Sequence, residues 1–339
     1  MEQIDEFIVE KLQAKDKKIL RELFDNARTP ISQIAKKVRL SKESASYRIK
    51  GLLKSGVLTG FNTIIDFKKI GWQAFFAYLR LRNIDIEEEK VIINCLKNHP
   101  NIAWLVKCIG NYDLIMKVFA KDIIEFDSVL KSIESQFKNN IDECTKDVII
   151  EEHPVPFSFL YDGSKKIVFF QKKQFFSDKI QLDKTDLNIL QQIANNARIP
   201  ISDIAANIRK SRDLVKYRLK RLEQNKIIKN YRPDVWPKKL GYNWYFVVLK
   251  VEKLSEELAN KFNGFLFDHP NVTYFYKTIG SSDYQIELRV KSSVELNKIL
   301  MELRSLLKRV LKRQELSVIL FEYKYTYFPD ALLSTIIFQ

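Results

Sequence analysis

One feature constrains this chain more than any other: it is written twice, at a single fixed offset. The segment Asn26-Ala27-Arg28-Thr29-Pro30-Ile31-Ser32 returns as Asn196-Ala197-Arg198-Ile199-Pro200-Ile201-Ser202, 170 positions later. The same offset carries Ile34-Ala35 onto Ile204-Ala205, Ser41 onto Ser211 and Tyr47-Arg48 onto Tyr217-Arg218. Further along it carries Gly71 onto Gly241, His99-Pro100-Asn101 onto His269-Pro270-Asn271, Gly110 onto Gly280 and Asp113 onto Asp283. Solenoid repeats have periods of roughly 20–50 residues, so a copy of this length must be a domain-sized unit. Whatever the chain does, it does with two similar modules.

Each copy opens on helical periodicity. Ile19, Leu20, Leu23 and Phe24 form one apolar stripe, and Ile189, Leu190, Ile193 and Ala194 repeat it. Pro30 and Pro200 sit at helix-initiating positions, followed by Ile31, Ile34, Ala35, Val38 and by Ile201, Ile204, Ala205, Ile208. After a short break, Ser41 and Ser211 are good N-caps for a third helix ending near Ser55 and Asn225. Three short helices with a tight second turn predict a helix-turn-helix. Gly60 and Asn230 are expected to supply a positive-φ turn, and Phe61 to Asp66 and Tyr231 to Val235 to form part of a wing.

From Ala74 the period changes. The expected strands are Phe75–Leu81, Ile102–Ile109, Leu114–Ala120 and Asp147–Glu152, with helices Ile86–Asn98 and Asp122–Phe137. The second copy gives strands Trp244–Val251, Val272–Ile279, Tyr284–Val290 and Leu316–Tyr323, with helices Glu256–Phe267 and Val294–Lys312. The order βαββαβ predicts a ferredoxin-like layer. The fold class is therefore α+β: two repeats, each a winged helix-turn-helix followed by a ferredoxin-like domain. The expected domains are 1–70, 71–153, 182–240 and 241–328. Residues 154–181 are too apolar for a disordered linker and are expected to contain a strand.

Charge separates the two kinds of domain. Residues 1–70 hold 15 Lys and Arg against 9 Asp and Glu, and residues 171–240 hold 17 against 7, within a chain whose net charge is +15. The excess cation thus lies at the start of each copy, as in a module that binds a polyanion. No apolar run reaches the ~18 residues of a membrane span, and the acidic start does not resemble a signal peptide. Cys95, Cys108 and Cys144 have no metal spacing, and His99, His153 and His269 read as loop or helix-end residues. A cytoplasmic protein with no cofactor, no metal and no membrane partner is expected.

The third helix carries the reading chemistry. Ala45, Ile49 and Leu52 form its buried stripe, leaving Lys42, Glu43, Ser46, Tyr47 and Lys50 on the opposite face, with Ser41 at its start. The second copy presents Ser211, Arg212, Asp213, Lys216, Tyr217 and Lys220. Cations and hydroxyls suit the major groove of double-stranded DNA. Arg48, Arg218 and Arg221 lie to the side, where phosphates pass. Glu43 and Asp213 fit either a helix dipole or a cytosine contact.

These features together resemble the Lrp/AsnC family of transcriptional regulators. The residues that carry the resemblance are Asn-Ala-Arg…Pro-Ile-Ser, the Ile-Ala pair, the Ser…Tyr-Arg-Ile-Lys third helix and the Gly110-Asn111-Tyr112-Asp113 turn. The resemblance implies a DNA-reading module joined to an effector-binding, dimer-forming (ACT-like or RAM) domain. It also implies that Gly110, Tyr112 and Asp113, with Gly280, Ser282 and Asp283, help bind a small effector such as an amino acid. A strand-connecting turn explains the glycines equally well. Two units in one chain imply an internal pseudo-dimer, open to further homo-oligomerisation.

Two other readings share this architecture. The chain also resembles the sirohaem decarboxylases, in which the helix-turn-helix no longer binds DNA. That family's Arg-rich wing start and His- and Trp-bearing third-strand motif are here Gly60-Phe61-Asn62 and Asn111-Tyr112-Asp113-Leu114, so a non-enzyme is expected. An architectural DNA-binding protein without sequence selectivity is the other alternative.

Overall fold

The computed structural model describes residues 9–334 apart from 83, 156 and 158–179. The strand expected within 154–181 therefore lies almost wholly outside the described residues. Along the chain run α1 (Ala14–Asp25), α2 (Ile31–Val38), α3 (Lys42–Lys54), β1 (Leu58–Ile65), β2 (Gln73–Leu81), α4 (Ile86–Asn98), β3 (Ile102–Gly110), β4 (Leu114–Ala120), α5 (Ile123–Gln136) and β5 (Ile141–Pro154). The second half continues with α6 (Lys184–Ala194), α7 (Ile201–Asn207), α8 (Arg212–Gln224), β6 (Ile228–Val235), β7 (Asn243–Val251), α9 (Glu256–Asp268), β8 (Val272–Gly280), β9 (Tyr284–Val290), α10 (Ser293–Leu307), β10 (Leu311–Tyr325) and α11 (Ala331–Ser334).

Polar caps set the helix starts. Ser41 and Ser211 accept from the amides of Ser44 and Leu214 at 3.1 and 3.2 Å, Asp85 caps α4 and Asp122 caps α5. The residues divide into two compact units. One gathers the described residues up to Asp66 with Gln181–Asn243, and the other Phe67–Phe157 with the described residues from Trp244 on.

In the helical unit, Ile19, Leu20, Leu23, Ile34, Ala45 and their second-half counterparts Ile189, Leu190, Ile193, Ile204 and Val215 are buried. The tight turn before each third helix is made by Arg39 and Arg209, both left-handed at φ 56° and 53°, a conformation uncommon for residues other than glycine. The expected positive-φ positions, Gly60 and Asn230, are not turns: both lie within strands. Gly56 and Lys226, at φ 73° and 56°, make the turns that release the chain from α3 and α8. The expected wings also differ. Instead of folding back within its own module, β1 pairs antiparallel with β6, and Asn62 lies opposite Arg232, 170 residues away.

The Asn-Ala-Arg motif seals this ribbon from both sides. Arg28 donates to the Ala197 carbonyl at 2.8 Å, and Arg198 to the carbonyls of Ala27 at 2.5 Å and Thr29 at 3.2 Å. The guanidinium carbons of Arg28 and Arg198 sit 5.3 and 5.2 Å from the rings of Tyr231 and Phe61, within cation–π range. The amides of Ala27 and Ala197 donate to the Tyr231 and Phe61 carbonyls.

The sheet unit is an eight-stranded closed barrel in the order β10-β3-β4-β2-β5-β8-β9-β7. The order β3-β4-β2-β5 is that of a βαββαβ layer, and β8-β9-β7-β10 repeats it. Side chains alternate across each strand: Phe75, Ala77 and Leu79 pack with α4 and α5 residues such as Ile92, Leu96, Phe126 and Leu130. Phe76 turns the other way, its ring 6.2 Å from Trp104, 5.7 Å from Phe246 and 4.9 Å from Tyr276. The last strands run longer than expected because β5 also pairs with β8, and β10 with β3. The helix expected to reach Lys312 stops at Leu307, since Lys308 takes φ 41° and a short 3-10 turn leads into β10.

The clasp yields a stability prediction. Hydrogen bonds from a charged donor contribute about 1.5–3 kcal/mol each, so Arg198→Ala is expected to lower the unfolding free energy by about 2 kcal/mol in urea titration. A change under about 0.5 kcal/mol, the scale of an ordinary surface substitution, would show the clasp to be incidental.

Candidate nucleic-acid interface and the loops of the sheet unit

Burial of Ala45, Ile49 and Leu52 on α3, and of Val215, Leu219 and Leu222 on α8, fixes which face each helix shows. Lys42 and Lys50 are exposed and Ser46 half-buried between them; Arg212, Lys216 and Lys220 are all exposed. Each set is spaced i, i+4, i+8, so it runs along one side of its helix. Tyr47 and Tyr217 stand beside these rows with 79% and 62% of their surface exposed. An aromatic ring left this open gains little from folding. Glu43 and Asp213 lie in the first turns, where the helix dipole favours an acid. Ser41 and Ser211 spend an oxygen lone pair on capping.

The side-lying arginines have partners within their own modules. Arg48 donates to Asp16 at 2.9 Å and to Gln13 at 3.0 Å. Arg218 pairs with Asp183 at 2.7 Å and Asp186 at 3.2 Å, and Arg221 with Asp186 at 2.5 Å. Asp186 is fully buried, so its carboxylate draws both guanidiniums inward. These three residues fasten the third helix to the first. Each pairs with a residue about thirty positions upstream in its own module, a contact that helix-face spacing alone does not reveal.

The six loop residues also have definite local work. Asp113 and Asp283 accept from the amides of Leu81 and Val251 at 2.7 and 2.8 Å. Gly110 and Gly280 adopt φ 138° and 145° against the opposite half; a Cβ on Gly110 would lie 2.4 Å from the Leu316 carbonyl oxygen. The Tyr112 ring packs against Tyr78, tilted, with centroids 4.8 Å apart, and its hydroxyl donates to Glu315 at 3.0 Å. Burial first, and then the adjacent Glu315, hold its phenol well above the ordinary value. At the equivalent position Ser282 is fully buried and bonds Asp147, which also accepts from Gln285 and Ser281 at 3.0 Å. Only Tyr112 among the six borders a cavity of about 250 Å³, lined also by Arg80, Asn111, Glu143, Thr145, Ser281, Arg313 and Glu315.

Paired three-helix modules with exposed cationic third helices have the architecture of helix-turn-helix DNA-binding proteins. A family model described as winged helix-turn-helix DNA-binding matches residues 12–59 and 182–229, and one described as Lrp/AsnC ligand binding domain matches residues 245–327. HTH-type transcriptional regulator FL11 of Pyrococcus furiosus is 32% identical over 122 residues, 35% of this chain and 78% of its own. Regulatory protein AsnC of Haemophilus influenzae is 30% identical over 142 residues, 41% of this chain and 91% of its own. The chain belongs to the Lrp/AsnC family of transcriptional regulators. Over nearly its whole length (96%) it has the fold of the siroheme decarboxylase NirDL, at a TM-score of 0.65, 12% identity and 98% coverage of that chain. No helix among the described residues is long and apolar enough to cross a membrane.

Two substitutions probe the loops. Gly110→Ala is expected to destabilise by about 3 kcal/mol or more, from backbone strain and the clash with Leu316. Gly264→Ala, in α9 with open space beside it, should instead gain up to about 1 kcal/mol. Thermal or urea unfolding of both variants checks the contrast. Burial pushes the Cys108 thiol up to about 12, with Asp113 adding to the effect, so iodoacetamide at pH 8 should leave Cys108 unmodified in peptide mapping of the folded protein.

Proposed function

We propose that this chain is a sequence-specific DNA-binding transcription regulator whose two halves act as an intramolecular pseudo-dimer, modulated by a small effector such as an amino acid. The observation that carries the reading is the pair of surface rows, Lys42, Ser46, Tyr47, Lys50 and Arg212, Lys216, Tyr217, Lys220, exposed but for the half-buried Ser46, on third helices whose modules are joined by β1 and β6. The antiparallel pairing centred on Asn62 and its repeat equivalent Arg232 gives the ribbon a local two-fold, which supports reading the modules as a pair with the symmetry by which dimeric readers meet two half-sites about 34 Å apart or a multiple of that. Because the two rows differ in residues, the preferred site is an imperfect palindrome.

Each half is read as one DNA module followed by one effector and pairing domain. The fold shared with a decarboxylase at 12% identity is architecture only, because one fold hosts unrelated chemistries and function lives in particular sites. The relatives matched by sequence are transcriptional regulators, and this supports the non-enzymatic reading.

Selection of bound fragments from genomic DNA, followed by anisotropy titration, tests the proposal. A selected site should bind at least about 10³-fold more tightly than random DNA; a ratio near one would favour an architectural protein. The second helix carries more cation, so Arg212→Ala/Lys216→Ala/Lys220→Ala should weaken binding more than Lys42→Ala/Ser46→Ala/Lys50→Ala. It should also flatten the salt dependence by up to about three units, against about two for the first set. Equal losses at fixed salt would remove the asymmetry.

A further inference from the structure

The end of the sheet unit where α5 and α10 lead into β5 and β10 carries opposite charge in the two halves. From position 304 to 313 the second half holds five cations, Arg304, Lys308, Arg309, Lys312 and Arg313, and no acid. The equivalent positions 134–143 hold one cation, Lys138, against the three acids Glu134, Asp142 and Glu143. All five second-half cations are exposed, as are Asp142 and Glu143. Even the local pairs are inverted: Arg82 stands 3.9 Å from Asp142, while at the same two positions of the second half Glu252 pairs with Lys312. Glu88, 3.5 Å from the Asn140 amide just ahead of β5, extends the acidic side, and its equivalent is Leu258.

Local structure does not account for this difference. A helix C-terminus favours cations, yet α5 ends on the same dipole with Glu134 and no basic residue in its last turn. The second half also keeps a strained backbone among its cations. Lys308 takes φ 41° and ψ −118°, whereas no residue from 134 to 143 has a positive φ. Such a conformation costs free energy in a residue other than glycine. Arg304 donates to Gln314 at 2.7 Å and Arg313 pairs with Glu315 at 3.0 Å. The side chains of Lys308 and Arg309 have no hydrogen bond or ion pair among the described residues.

The two patches share one face. Glu143 and Arg313 are repeat equivalents, and they line a single cavity with the equivalent pairs Asn111 with Ser281 and Thr145 with Glu315. Acid and base therefore lie side by side across the relation between the halves. A face acidic on one side and basic on the other is complementary to itself when a second copy is turned over onto it. We propose that this face joins two copies of this chain through a two-fold that sets the acidic patch of each against the cations of the other. Such an isologous contact uses both patches of both chains and closes at two. Halves of equal charge could not form it, because like charges would face each other. A polyanionic duplex would suit the second-half cations but would meet the acids beside them, so the charges favour a second copy as the occupant. The inference goes beyond the DNA-reading proposal and does not rest on it.

Sedimentation velocity of the full chain without DNA, at up to about 100 μM to reveal dissociation constants in the micromolar range, tests this. Salt at about 0.1 M leaves a screening length of about 10 Å, and about 1 M shortens it to about 3 Å. A species of twice the chain mass is expected in the first condition and the single chain in the second. Lys308→Glu/Arg309→Glu places acids at the two unengaged cations, and Glu134→Lys/Glu143→Lys places cations on the acidic side. Each variant alone should associate about tenfold or more weakly at the lower salt, since like charges then face each other. An equimolar mixture of the two variants should regain the two-chain species, and both should melt like the parent. A single chain at every salt concentration, a two-chain species indifferent to salt and to both variants, or a mixture that stays dissociated would overturn the proposal. If the parent stays single and Lys308→Glu/Arg309→Glu instead loses binding to random duplex DNA, the cations serve nucleic acid and the proposal is likewise overturned.

Discussion

Everything in this molecule depends on strands that find their partners in the other half of the chain. A lone strand leaves a row of amides and carbonyls unpaired, and buried backbone groups of that kind are costly. Strand β1 pairs with β6, β5 reaches β8, and β10 reaches β3. The last two contacts close both four-stranded layers into one barrel and leave neither with a free edge. The inner aromatic faces then have somewhere to go: Phe76 meets Phe246 and Tyr276, and Trp104 lies 5.8 Å from Trp244. The apolar core and the backbone pairing thus impose the same arrangement.

Covalent joining of the halves also removes a restriction. At a two-fold seam between identical chains, every substitution appears twice and must be compatible with itself. Here the two seams carry different solutions to the same geometry. At one, Gly110 lies opposite Ser317 and Tyr112 reaches Glu315; at the other, Gly280 lies opposite Asp147, which collects Ser281, Ser282 and Gln285. A buried carboxylate is tolerable when donors surround it, and Ser282 makes room for that set where a tyrosine would fill the space. Divergence at one position has been matched by divergence at its neighbours.

Much of this was legible in the residues. Helix α4 was expected at its observed bounds, and the caps Ser41, Ser211 and Asp122 mark helix starts in both sequence and structure. The winged helix-turn-helix and the α+β class follow from a change of hydrophobic period. What could not be read was whatever depends on the partner half. The turns at Arg39 and Lys226 are hidden for a separate, local reason: nothing in an Arg or Lys marks a left-handed backbone. Alternation shows that a segment is a strand and not which strand it joins, so the pairing of β1 with β6 is not legible in the sequence. Arg28 and Arg198 stood in plain view as part of the repeat motif, yet their clasp across the ribbon needs three dimensions.

The same logic separates what the fold explains from what the surface explains. Asp16, Asp183 and Asp186 hold the arginines of the third helices against the first helices, so that each third helix is fixed to its module by its own cations. Among the described residues, Lys42, Lys50, Arg212, Lys216 and Lys220 show no such pairing, and the tyrosines beside them are exposed. A stability requirement would bury or pair these groups, as it has the arginines one position away. Their openness on both helices, at equivalent positions but with different residues, is what the proposed contact with an outside polyanion requires. Architecture shared with an enzyme therefore coexists with an exposed, cation-bearing face on each third helix.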